Sequence, residues 1–259
     1  MRPTVKVKSD DSMIRAQREA AAERVIDHFR NQIPDLRLLC FFDDVDCTYL
    51  KQIWGEAIRG VYLSILRGSV WQSLPHYVRD ECFSDQLTWL FDRLIYLHGS
   101  TCANEVGLTM TFAHELQHFI QHSNMPTLWD KNTSIYHLSK STSAVNALGL
   151  KTFNFPHERD ARIVAKQTAE KLFGAEVVRQ YIDTKMAKPV NAEDAADWEF
   201  IQGIDISTPY DLADETKLMF RRLRPYRSEL REQLQTPEWK NDPYFKDVDF
   251  DTLFDGAGT

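Results

Sequence analysis

The residues best placed to do chemistry are concentrated in Ala113-His114-Glu115-Leu116-Gln117-His118-Phe119-Ile120. His114 and His118 are four positions apart, so on a helix their imidazoles share one face, about 40° apart around the axis. Phe112, Leu116 and Phe119 fall roughly opposite. One side of such a helix can pack into a core while the other offers two neutral nitrogens to a metal. Glu115 falls beside the histidine face, about 60° round from His118. There it can take a proton from a water at that metal, but it is badly set to be a third ligand. His-Glu-x-x-His on a helix is the arrangement of a zinc hydrolase.

A catalytic zinc takes three protein ligands and keeps one position open. The long form of the motif, with Gly and a third His following at three-residue steps, fails here: Gln121 and Asn124 occupy those positions. Glu158, in Pro156-His157-Glu158-Arg159-Asp160-Ala161-Arg162, is the ligand expected instead. It opens a helix expected over 157–173. Ala161, Ala165 and Ala169 follow within about 60° of it, a small-residue stripe that lets this helix approach the histidine helix closely. The competing reading is an acidic residue favoured by the helix dipole. Asp160 points about 160° away from Glu158, so the two cannot face one metal. His157 and His122 are lesser alternatives, and His122 suits a supporting or substrate contact. Cys102 lacks a surrounding ligand motif, and His98, at a strand end, reads as structural.

Helical periodicity is expected over about 12–31, 48–66, 104–122, 157–173, 175–186, 211–223 and 228–234. Short strands are expected over 36–42 and 94–98, with 85–93 ambiguous between helix and strand. Residues 1–12 read as frayed, 70–80 as loop, and 125–155 as a long loop with a short helix near 134–138 that can form a wall or lid. Residues 188–197 read as polar, 198–206 are uncertain, and 236–259 read as an irregular acidic stretch. The acidic turn Asp43-Asp44-Val45-Asp46 lacks the glycine and distal Glu of a calcium loop. With no repeat or low-complexity linker, one domain over 1–259 is expected.

The net charge of −7 disfavours nucleic acid as a partner, because phosphate binding needs a basic surface. The local run Arg221-Arg222-Leu223-Arg224-Pro225-Tyr226-Arg227 reads as a solvated helix end balanced by nearby acids. Four cysteines without a C-x-x-C pair indicate neither a disulfide framework nor a cysteine-rich zinc module. They suit reduced core thiols and an intracellular setting. Residues 1–10 lack the apolar region of a signal peptide, and no run reaches the ~20 apolar residues of a membrane span. A cytoplasmic location is expected.

His114-Glu115-Leu116-x-His118, followed by Glu158-x-Asp160-Ala161, resembles the gluzincin group of zinc metallopeptidases. The resemblance covers these two segments and little else. It implies an α+β, mainly helical fold with a zincin-like core: an active-site helix, a small sheet, and a second helix carrying the third ligand. It further implies one catalytic Zn2+ held by His114, His118 and Glu158, with Glu115 as general base, and a protein or peptide substrate. Tyr136, His137, His157 and Tyr181 stand open as oxyanion donors. A strand such as 94–98 is expected to pair with an extended substrate through its edge. The rival readings are a catalytically quiet zincin-like protein-binding domain and a zinc hydrolase of a non-peptide amide.

Overall fold

The computed structural model describes residues 2–54, 58–64, 69–83, 90–140, 142–240 and 250–254. The fold is mainly helical with a small sheet, an α+β arrangement. Among the described residues the chain runs β1 (Thr4–Lys8), α1 (Ser12–His28), β2 (Leu38–Asp43), α2 (Thr48–Trp54), β3 (Gly60–Leu63), α3 (Ser69–Ser73), α4 (His76–Asp80) and β4 (Arg93–His98). Next come α5 (Glu105–Asn124), α6 (Pro126–Lys140), α7 (Ser143–Leu148), α8 (Pro156–Phe173), α9 (Ala175–Ala187), α10 (Ala192–Gly203), α11 (Leu212–Leu223), α12 (Arg227–Leu234), α13 (Pro237–Lys240) and α14 (Phe250–Phe254). Two compact units divide the chain: Met1–Ser123 with Ala161–Ser207, and Asn124–Asp160 with Thr208–Thr259.

In the first unit the strand order is β1-β2-β4-β3. β1, β2 and β4 are parallel, whereas β3 is antiparallel to β4. The parallel pair β1 and β2 is joined through α1, since parallel strands need a crossover. β2 is apolar along its length apart from its last residue and buried throughout, as a strand covered on both faces must be. Side-chain alternation then sorts the residues by face. Leu39, Phe41, Leu94 and Tyr96 join Trp71 and Leu74 in one core cluster. Phe42 meets Phe112 of α5 edge-on at 5.2 Å, a contact worth ~0.5–1.5 kcal/mol beyond its burial. α5 also touches β3: a Cβ on Gly60 would stand 3.3 Å from Thr111 Cγ2, and the Tyr62 ring lies 6.1 Å from Phe119.

Several expectations change here. β4 has β2 on one side and β3 on the other, so it has no edge to offer a substrate; among the described residues the outer strand beside α5 is β3. β3 itself lies inside the stretch read as one helix over 48–66. That helix ends by Trp54, Gly60 begins a strand, and residues 55–57 and 65–66 lie outside the described set. Residues 4–8, read as frayed, form β1, because Thr4-Val5-Lys6-Val7-Lys8 alternates like a sheet-edge strand. Residues 70–80, read as loop, carry α3 and α4 on either side of Pro75. Most of the ambiguous stretch 85–93 lies outside the described residues.

The long loop expected over 125–155 is instead largely α6 and α7. Its Ser, Thr and Asn side chains misled because they bond within the unit. Thr133 Oγ1 donates to Trp129 O at 2.9 Å, and Asn132 Nδ2 donates to Thr216 Oγ1 at 2.8 Å. The second unit packs these helices around Ile135, Leu138, Phe155, Phe220, Leu223 and Leu230. The C-terminal stretch holds α13 and α14; residues 241–249 and 255–259 lie outside the described set. In the basic run Arg227 pairs with Asp251 at 2.7 Å, and Arg231 beyond it pairs with the same carboxylate. No described helix is long and apolar enough to cross a membrane.

Candidate metal centre

The turn from β4 into α5 is built on Gly99 at φ +61°, where a Cβ would stand 1.5 Å from Asp46 Oδ1. Asn104 Oδ1 then accepts from Gly107 N at 3.0 Å, capping α5. Gly107, a poor helix former, is needed by packing, because a Cβ there would lie 2.3 Å from Tyr181 Oη. Phe112, Leu116 and Phe119 are fully buried along one side of α5. Their burial orients the opposite side, where His114 is half-buried and His118 and Glu115 are buried.

The two imidazoles meet edge-on, with centroids 4.6 Å apart and planes at 83°. Their Nε2 atoms converge to 3.0 Å. Tetrahedral zinc with Zn–N bonds near 2.0–2.1 Å separates two such nitrogens by about 3.3 Å, so a single cation fits with a small adjustment. His118 Nδ1 lies 3.0 Å from Gln121 Oε1. Donation of Nδ1–H to that oxygen leaves the Nε2 lone pair facing its neighbour, the tautomer a metal needs. Gln121, at the position that excluded the long motif, thus supports His118. The three-residue spacing on one helix was the signal that could have found it.

Glu158 lies in the first turn of α8, a continuous helix that belongs to the first unit from Ala161 onward. Ala161, Ala165 and Ala169 are buried, and Ala169 clusters with Val106 and Met110 in the first half of α5. Glu158, about 16 Å back along α8, comes to the second half of α5, so the helices run in opposite directions. One ligand atom each from His114, His118 and Glu158 lie within 4.8 Å of one another. This two-nitrogen, one-carboxylate donor set suits a divalent metal. His157 Nε2 stands 3.8 Å from Glu158 Oε1, with Trp129 and Tyr136 edge-on to its ring.

The alternatives fall elsewhere. Asp160, His98 and Cys102 are outside the clustered ligand group found among the described residues. His98 is buried at the end of β4, where its Nδ1 accepts from Cys47 N at 3.3 Å. Burial, opposed only in part by Arg18, pushes the Cys102 thiol up to about 12, away from a thiolate ligand. Tyr181 packs at Gly107, about 10 Å along α5 from His114, too far to stabilise an oxyanion there. Tyr136 is buried in the core of the second unit, beside His137.

His122 bonds Tyr62 Oη through Nδ1 at 3.0 Å, tying β3 to the end of α5. Burial, with the Arg93 charge adding to it, pushes this imidazole from 6.5 down to about 4. Between those values the unfolded chain binds a proton that the folded chain does not. Stability therefore rises with pH across that window and is lost as pH falls through it. Discounted for partial exposure, the loss should be roughly 1–2 kcal/mol. Urea midpoints at pH 7 and 4.5 test this: His122→Gln should shrink the difference seen in the wild type. An unchanged difference would assign it to other groups.

Comparison with protein families, with curated proteins and with solved structures finds no match to this chain.

Proposed function

We propose that this protein is a zinc-dependent metallopeptidase with a zincin-like core of the gluzincin type. The observation that carries the reading is the clustering of His114, His118 and Glu158 ligand atoms within 4.8 Å, with Glu115 beside the pair on α5. His114, His118 and Glu158 hold the zinc. When bound, zinc supplies Lewis acidity that acidifies water and polarises a carbonyl. Glu115 takes a proton from the attacking water as its oxygen bonds the peptide carbon. As the carbon–nitrogen bond breaks, Glu115 returns that proton to the leaving amine. The outer edge of β3 offers backbone groups to an extended peptide, which favours a protein substrate over a small amide. Tyr62 anchors that strand to α5 through His122 and Phe119. A quiet binding domain is the alternative, but it has no use for a buried carboxylate beside two metal ligands.

The test is metal removal. Protein purified with about one zinc per chain should lose cleavage of a denatured protein substrate on treatment with a chelator. Added Zn2+ should restore it. Cleavage that survives complete zinc removal would sink the proposal.

A further inference from the structure

We propose that His98 is an acid-operated switch: on protonation its Nδ1 releases the Cys47 amide and turns to the Asp46 carboxylate, rearranging the joint where β4 passes into α5. The inference is independent of the metal-centre reading.

The ring is 1% exposed at the end of β4 and stacks on Tyr96, with centroids 5.7 Å apart and planes at 22°. Nδ1 accepts from Cys47 N at 3.3 Å, so the ring is neutral and carries its hydrogen on Nε2. That second nitrogen is buried with no hydrogen-bond partner among the described residues. Asp46 Oδ1 also lies beside Nδ1, at 3.7 Å, outside hydrogen-bond range in this state. A proton added to Nδ1 turns it from acceptor into donor. It can then no longer accept from Cys47 N–H. The Asp46 oxygen, about 1 Å beyond a charge-assisted bond, becomes its acceptor. One proton is taken up from solvent, and one backbone hydrogen bond is exchanged for one ion pair.

The partners belong to different elements, which makes the exchange more than local. Cys47 stands before α2, and its carbonyl accepts from Lys51 N at 3.2 Å. Asp46 Oδ1 lies against Gly99, the first residue after β4, where a side chain would collide with it. Its other oxygen accepts from Lys51 Nζ at 2.5 Å. Movement of Asp46 onto His98 therefore draws it off the turn that leads to α5 and frees the amide in front of α2. Asp43, the register partner of His98 on β2, also faces the ring, but the hydroxyls of Tyr77 and Tyr96 and the amide of Val45 already bind its carboxylate. Arg18 of α1 reaches the same turn, where its Nε donates to Cys102 O at 2.9 Å and its charge is paired with Asp44. Burial holds the imidazole below its ordinary 6.5; Asp46 and Asp43 oppose this and Lys51 adds to it. The switch accordingly works on the acid side of that value.

The experiment follows the His98 imidazole and the Cys47 amide by NMR through one acid titration of the whole chain, with His98→Gln identifying the ring signals and circular dichroism reporting unfolding. Ring and amide should move with a single midpoint below pH 6.5, and the Cys47 amide should lose protection from hydrogen exchange as they do. Asp46→Asn should lower the midpoint by about one unit, because the opposite charge is gone. Lys51→Met should raise it. In His98→Gln the Cys47 amide should show no such transition. A Cys47 amide that stays unmoved while His98 titrates would overturn the switch, as would a midpoint indifferent to Asp46→Asn. A ring that stays neutral until the chain unfolds would do the same. Should His98→Gln fail to fold, the opposed shifts of the Asp46 and Lys51 variants still decide.

Discussion

Glu115→Gln should retain one zinc per chain, keep its melting temperature, and lose peptide cleavage by about 10³–10⁴-fold, the upper range for removal of a general base. The substitution keeps the shape of a side chain that is only 8% exposed, so packing around α5 is preserved. It removes the one carboxylate on α5 that lies beside the histidine pair without being a ligand. The measurement pairs metal analysis with kcat on a protein substrate. Equal activity in variant and wild type would refute a role for Glu115. Zinc loss in the variant would recast Glu115 as a ligand.

Glu158→Ala should lose most of its zinc, whereas Asp160→Ala should keep it. The apparent zinc binding energy of about 10–16 kcal/mol, divided over four ligands, implies roughly 3 kcal/mol for one, or a hundredfold in affinity. Glu158 is the acidic residue in the first turn of α8, and Asp160 follows it two positions later on the same helix, so Asp160→Ala controls for the loss of a nearby negative charge. The pair therefore separates a ligand from a neighbouring acid that is not one. Of the two, Glu158 is the one in the clustered group with His114 and His118 found among the described residues. Zinc loss in Asp160→Ala with retention in Glu158→Ala would reverse the assignment.

Much of the frame of the candidate site was legible in the chain. Four-residue spacing placed His114 and His118 together on one helix, and an apolar face of Phe112, Leu116 and Phe119 determined which side would turn inward. α8 was equally readable from Pro156 at its start, Gly174 after its end, and its alanine stripe. These are local signals, governed by helical geometry and by residues that start or stop helices. β2 and β4 were visible as short apolar runs.

What stayed hidden depended on partners distant in sequence. Strand 94–98 looked like a place for substrate, but pairing with both β2 and β3 closes its edges and leaves β3 as the outer strand on that side among the described residues. β3 was concealed inside a helical pattern because a short strand acquires its identity from its neighbour. The polar helix α6 was concealed because Asn132 meets its partner Thr216 only when α6 packs in the second unit.

The sequence by itself determined that His114 and His118 share one helix face with Glu115 beside them, and that Glu158 opens a later helix, because spacing along one helix dictates which side chains share a face. Only the tertiary structure decided that Glu158 meets the histidines and that Asp197 is held by Arg162 and Arg59. Those relations follow from the opposed directions of α5 and α8 and from the placement of α10, which are set by packing between segments far apart in the chain.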